Sequence, residues 1–277
     1  MSLSPVMRLL SFNILVDRRT DAPYSWECRK RQIVDLIKAH NPDLICIQEA
    51  LEHQKLFLAE ELPDYEGFGV GRNDGRADGE QVPIFHRKGM FRELDRGHFW
   101  LSETPHLAGS IGWDAKCPRT AVWKLLQHES MERPFVLANT HYDHVGITAN
   151  RNSVSTLQQE LSAKVPPCAT LFCGDFNSSE QTPAYQEILS SGFLDSSRAE
   201  QVVCTGMPFS YHRFNMELYG TDAHRLMQEN NRMFRTIDHL FYRGDVQVLR
   251  HGILGDNREG VYPSDHFPLL CDFRFTG

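Results

Sequence analysis

Apolar runs of strand length alternate along this chain with amphipathic stretches of helix length. Residues 9–15 and 44–47 read as strands. Between them Trp26, Ile33, Leu36, Ile37 and His40 fall on one face at helical spacing, and Asn41-Pro42 closes that helix. A second unit repeats the plan: residues 135–138 read as a strand, Val154, Leu157 and Leu161 mark a helical stripe, and residues 170–173 read as the next strand. The strands of the first unit end at Asn13 and Glu49, those of the second at His141 and Asp175. The pattern predicts a pseudo-duplicated β-sandwich with helices outside and polar strand ends gathered at one rim, where ligand sites of open sheets lie. Residues 72–80, rich in Gly, Asp and Asn, read as a flexible surface loop. Residues 102–118 and 205–235 read as longer loops of the kind that set substrate choice. No Pro- or Ser-rich linker interrupts the chain, so residues 1–277 are expected to form one domain.

Charge changes this picture more than bulk composition does. Lys and Arg number 29 against 36 acids, a formal charge of −7, and no basic run of the kind that tracks a nucleic-acid backbone occurs. This weighs against a non-specific nuclease and favours a smaller or non-polymeric substrate. The seven cysteines have no framework spacing and no CxxC pair. Cys46, Cys173 and Cys271 lie within apolar runs and read as small core residues. No stretch approaches the roughly 18 apolar residues of a membrane span, and the expectation is a soluble, cytoplasmic protein.

Candidate chemistry sits at the strand ends. Hydrolysis of a phosphoester requires charge on the phosphoryl oxygens to be offset, a water to be activated and a leaving oxygen to be stabilised. A hard cation such as Mg2+ takes oxygen ligands, and Glu49 is the first candidate to supply one. Asn13 alone reads equally as a turn residue. In Gly174-Asp175-Phe176-Asn177 the glycine permits close backbone approach. Asp175 and Asn177 project to one side if the extended conformation persists; a simple Asx turn is the rival. Asp238 is the candidate to orient His266, because a carboxylate on one imidazole nitrogen sets the tautomer and basicity of the other. His141 reads as a phosphate hydrogen-bond donor. His141-Tyr142-Asp143-His144 lacks the histidine needed for a two-zinc run, and Asp143 and His144 stay open between substrate-side and loop roles. Arg119 can pair with a phosphoryl group, although an exposed strand-end arginine is the commoner arrangement. Trp100, Trp113 and Tyr142 are candidates to stack on a substrate ring, with core packing the alternative for Trp100 above all.

Taken in order, Ser11-Phe12-Asn13, Ile47-Gln48-Glu49, Asn139-Thr140-His141, Gly174-Asp175-Phe176-Asn177, Ile237-Asp238-His239 and Ser264-Asp265-His266 resemble the endonuclease/exonuclease/phosphatase superfamily. Residues 99–105 and 112–119 strengthen the likeness to its small metal-dependent hydrolases. The resemblance implies an α/β fold, a four-layer α-β-β-α sandwich of two mixed sheets with helices outside. By it Glu49 would hold Mg2+ or Mn2+, with Asn13 nearby and Asp265 as a further ligand. Asp175 would orient or deprotonate the attacking water, Asn177 would fix the phosphate, and His266 and His141 would donate to the phosphoryl oxygens. His239 stands where members often carry tyrosine, which leaves its role open. The leading expectation is a divalent-metal-dependent phosphoesterase acting on a small diester or monoester. A DNA or RNA nuclease is the runner-up, and a non-catalytic binding protein on the same fold is less favoured.

Overall fold

The structure, a computed structural model, describes residues 4–230 and 232–276. Its strands are, in chain order, β1 (Met7–Asn13), β2 (Leu44–Gln48), β3 (Tyr65–Phe68), β4 (Ile84–Arg87), β5 (Phe91–Trp100), β6 (Thr120–His128) and β7 (Phe135–His141). There follow β8 (Ala169–Asp175), β9 (Leu194–Asp195), β10 (Val203–Gly206), β11 (Asp238–Arg243), β12 (Val246–Ile253) and β13 (Leu269–Phe275). The α-helices are α1 (Trp26–His40), α2 (Glu52–Glu61), α3 (Ile147–Lys164), α4 (Pro183–Ser190) and α5 (Asp222–Glu229). One mixed sheet runs β10-β12-β13-β1-β2-β4-β3 and the other β5-β6-β7-β8-β11-β9. Both expected units are present: β1 and β2 pair in parallel across α1, and β7 and β8 pair in parallel across α3.

Side chains on a strand alternate between faces, so each strand feeds two layers. Leu9, Leu44, Cys46, Leu137, Leu171, Cys173, Leu240 and Cys271 fill the space between the sheets. Leu10, Phe12, Ile45 and Ile47 point the other way, onto Ile33, Ile37 and Leu58 of α1 and α2. Val136, Ala138, Phe172 and Phe241 meet Val154, Leu157 and Leu161 of α3 and Tyr185 and Ile188 of α4. The result is the expected four-layer α-β-β-α sandwich. Among the described residues no helix is long and apolar enough to cross a membrane.

The inter-sheet rows turn polar at one end. Continuing β1, β2, β7, β8 and β11 by twos gives Asn13, Gln48, Asn139, His141, Asp175 and Asp238, all buried. Asn139 binds the two sheets there: its Oδ1 accepts from Gln48 Nε2 at 2.7 Å, and its Nδ2 donates to Ile47 O at 2.8 Å. β1 stops earlier than its apolar run, because Leu15 takes φ 59° and donates its N–H to Asn13 Oδ1 at 3.0 Å. Gly174 serves the sheet rather than a ligand. At φ 148° a Cβ there would stand 2.0 Å from Thr140 O, on the neighbouring strand.

Residues 72–80 are not the loose loop their composition suggests. Backbone bonds Arg72 N to Glu80 O (3.1 Å) and Asn73 N to Asp78 O (3.1 Å) lace the segment, and Arg72 forks onto Glu80 at 2.7 and 3.0 Å. Trp100 sits in the core as expected and donates Nε1–H to Arg72 O at 2.7 Å, fastening the loop to β5.

Arg29 of α1 is fully buried among backbone carbonyls. It donates to Tyr24 O (2.8 Å), Ile14 O (2.6 Å), Pro263 O (2.7 Å) and Leu15 O (3.1 Å). One guanidinium thus locks the turn after Asn13 to the segment before Asp265. Arg29→Leu strands those carbonyls, and is expected to cost on the order of 3 kcal/mol and to lower the thermal midpoint by about 5–10 °C. Calorimetric melting of the variant checks this.

Burial holds two histidines neutral, His251 down to about 4 and His212 down to about 3, the latter also repelled by His266. Their folded values lie below the ordinary 6.5, so the unfolded chain takes up their protons first. The stability they confer is whole above pH 6.5 and is lost as pH falls toward 3. Urea midpoints are expected to drop between pH 6.5 and 4, with a shallower slope in His251→Asn.

Candidate active site

Three neighbouring strands of the second sheet place their polar ends side by side. β8 ends at Asp175, which lies level with His141 of β7 in parallel register and with Asp238 of β11 in antiparallel register. All three project from one face toward the first sheet. There Asn13 Nδ2 donates to Asp175 Oδ2 at 3.0 Å and to Glu49 Oε1 at 3.0 Å. Glu49 leaves β2 at φ 65°, a costly conformation outside glycine, and its Oε2 accepts the Val16 N–H at 2.9 Å. The two carboxylates that sequence spacing cannot relate are thereby joined through one amide.

Two imidazoles flank Asp175 in different charge states. His266 Nδ1 lies 2.8 Å from Asp238 Oδ2, and its Nε2 lies 3.7 Å from Asp175 Oδ2. Burial alone would lower its pKa, but Asp238 and Asp175 outweigh burial and raise it to about 10. His141 goes the other way, held well below the ordinary value by burial and then by Arg119 and Arg72. Its Nε2 lies 3.4 Å from Asp175 Oδ2 and 3.0 Å from Asn177 Nδ2. Asp175 is raised, chiefly by burial and then by Asp238, while His266 and the bonds from Asn177 and Asn13 work against the rise. The cluster joins a cationic imidazole, a neutral imidazole and a shared, desolvated carboxyl group, a mixture expected where protons are handled.

The turn before β13 completes the rim. Ser264 Oγ donates to Asn13 O at 2.6 Å and accepts the His266 N–H at 3.2 Å. Asp265 is half-buried, but its Oδ1 is shielded and has no hydrogen-bond partner among the described residues. The Tyr211 ring lies 4.8 Å from that of His266 and bridges it to the 205–235 loop. A divalent cation fits this donor set. Glu49, His141 and Asp175 each bring a ligand atom within 4.8 Å of the others. The oxygens of Glu49 and Asp175 and the orphaned oxygen of Asp265 are hard donors, and no cysteine joins that group.

Several expectations change. Asn177 does not continue an extended strand: at φ 48° its N–H closes an Asx turn on Asp175 Oδ1 at 2.8 Å. The turn nevertheless brings its amide to His141 and to Tyr142 O at 3.0 Å. Tyr142 is not a substrate platform. It is fully buried in the α3-side core, with its ring 4.8 Å from that of Phe176, because the residue after His141 falls on the opposite face. Arg119 is buried, not an exposed strand end, and keeps Nε and Nη1 without hydrogen-bond partners among the described residues. Asp143 caps the following turn, accepting from Val145 N (2.9 Å) and Gly146 N (2.8 Å), and Arg119 Nη2 meets His144 Nδ1 at 3.3 Å. His239 points away from Asp238 into the second sheet's outer layer, where Nε2 lies 2.9 Å from Ser178 O. Trp113 is half-buried, with its N–H on Glu103.

Sequence reasoning did not assign parts to Arg29, Arg72, Ser264 or Tyr211. Only Ser264 lay within a quoted motif; Arg29 sits on α1 but acts on irregular backbone carbonyls, and Arg72 and Tyr211 lie in loops whose contacts carry no periodic signal.

The model of the Endonuclease/Exonuclease/phosphatase family matches residues 10–266. An endonuclease/exonuclease/phosphatase structure from Bacteroides vulgatus is 32% identical with a TM-score of 0.88, covering 98% of this chain and 100% of that one. A mannosyl-6-phosphatase of Bacteroides thetaiotaomicron is 29% identical with a TM-score of 0.84, covering 97% and 100%. Human nocturnin is 25% identical over 99% of this chain and 67% of its own length; for Drosophila melanogaster nocturnin the values are 27%, 96% and 46%. The chain therefore spans about half to two thirds of these curated relatives.

Proposed function

The chain belongs to the endonuclease/exonuclease/phosphatase family, and from that premise we propose that it hydrolyses phosphoester bonds by in-line attack of water on a small or non-polymeric substrate. Enzymes of this family generally depend on a divalent metal. The observation that carries the proposal is the desolvated Asp175 carboxyl group, within 3.0 Å of Asn13 and flanked by His141 and His266 at 3.4 and 3.7 Å.

Asp175 orients the attacking water and takes its proton, and its raised pKa strengthens it as a base. His266, held by Asp238, stands as a charged donor to a phosphoryl oxygen, and the Asn177 amide, seated on His141 Nε2 and Tyr142 O, lies beside a second one. Glu49, with Asn13 and Asp265, would hold Mg2+ or Mn2+, which when bound supplies positive charge to phosphoryl oxygens. The chain's net charge of −7 favours small substrates over DNA and RNA.

Hydrolysis of nitrophenyl phosphate esters with Mg2+, with Mn2+ and with chelator tests the proposal. Chelator-sensitive turnover is expected, faster than incision of an abasic duplex or degradation of poly(A) RNA. Preference for either nucleic acid would instead make this chain a nuclease.

A further inference from the structure

Beside the catalytic cluster lies a cavity of about 10 Å³ walled by Glu49, Arg72, Glu80, Arg119, Thr120 and His141. Its cations are not equivalent. Arg72 is neutralised by its fork onto Glu80, which also holds Arg18 at 2.8 Å. Arg119 is only 6% exposed, and it keeps Nη1 without any partner among the described residues. Its Nη2 meets His144 Nδ1 at 3.3 Å, and Nε, also without a hydrogen-bond partner among the described residues, lies 3.6 Å from Asp143 Oδ2. Asp143 stays charged there because burial, which would raise its pKa, is outweighed by the N–H groups of Gly146, Val145 and Lys116, which bring it to about 2. A buried, charged donor without an acceptor is costly unless something fills the space in front of it.

We propose that this cavity receives the third non-bridging oxygen of a phosphomonoester, and that Arg119 makes the enzyme selective for terminal phosphates over diesters. In-line displacement puts the water and the leaving oxygen on the axis and three oxygens around the equator. In a monoester all three equatorial oxygens are bare and share the negative charge. His266 meets one, the Asn177 amide the second, and Arg119 the third. In a diester one equatorial oxygen carries a carbon, which denies Arg119 a bare charged oxygen and crowds a cavity with room for about one water molecule. The reaction balances as R–O–PO3(2−) plus H2O giving ROH and hydrogen phosphate. The P–O bond to R breaks, a P–O bond to water forms, and a proton from the water ends on the leaving oxygen.

The inference rests on the phosphoesterase reading, and two measurements separate their failures. The first compares kcat/KM on nitrophenyl phosphate and nitrophenyl methyl phosphate with Mn2+ supplied. Wild type is expected to prefer the monoester, and Arg119→Met to lower the monoester-to-diester ratio about 30-fold, as loss of a charged hydrogen-bond donor should. A wild-type preference for the diester, or equal losses on both esters, overturns the inference while leaving a phosphoesterase. The second is inorganic phosphate binding in chelator, by calorimetry, which needs no turnover. Weaker binding by Arg119→Met supports the inference even if both esters resist hydrolysis, a result that would count against the phosphoesterase reading alone; unchanged binding overturns it. Melting curves check that the variant folds, and Arg119→Lys, which keeps the charge, replaces it if it does not. The lysine variant is expected to bind phosphate more weakly than wild type, and equal binding counts against the inference.

Discussion

Asp175→Asn is expected to lower kcat about 10^4-fold, from combined loss of the general base and of its electrostatic role, while the folded protein survives heating as well as wild type or better. The two halves have one cause. Asp175 is buried, level with a second carboxylate at Asp238, and its pKa is raised by burial first and by Asp238 second. Such a group is held where it is useful at a cost to stability. The asparagine keeps the size and one of the two accepted bonds, on the oxygen that takes either Asn13 Nδ2 or the Asn177 N–H, and it relieves the repulsion. Single-turnover kinetics and melting on the same preparation check both halves. A variant that unfolds would make Asp175 a structural residue instead.

Asp238→Asn should produce the second largest change, about 10^2- to 10^3-fold in kcat/KM at pH 8, by moving a titration rather than by removing a reacting group. His266 is fully buried, and burial on its own lowers an imidazole pKa. Asp238, 2.8 Å from Nδ1, is the largest influence raising it, and the value reaches about 10. A charged donor is therefore present below about pH 10 and lost as pH rises through that value. With asparagine at 238 burial prevails, and the donor is lost at lower pH. The alkaline limb of the pH–rate profile should shift down into the neutral range. A profile that falls in height but keeps its limb would mean that Asp238 does not set the charge of His266.

Much of this arrangement was legible because it follows the period of two. The apolar rows of β1, β2, β7 and β8 announce which face is buried, and the polar residues that extend those rows are the ones that meet. The same rule excludes Tyr142, which follows His141 by one position and so falls among Phe172 and Phe176. The Asx turn at Asn177 was a stated alternative, and local sequence could not decide it. What decides it is the seat offered by His141 Nε2 and Tyr142 O, which lie 36 and 35 positions away in the chain. Arg119 and Arg72 were opaque for a related reason. Arg119 is buried and Arg72 half-buried, the latter in a loop fastened to β5 by Trp100 Nε1–H on Arg72 O, and irregular loops carry no periodic signal. Composition misled outright for residues 72–80, where glycine and aspartate serve tight internal turns instead of mobility.

Metal binding and turnover measured together test the central claim most directly. Chelator-stripped wild type and Glu49→Gln would each be titrated with Mn2+ by calorimetry, and hydrolysis of nitrophenyl phosphate would be followed at every point. The account predicts that turnover in wild type rises in step with site occupancy. In the variant both curves should shift together to weaker binding by about tenfold or more. Full turnover in stripped protein, or metal binding untouched by Glu49→Gln, would contradict it.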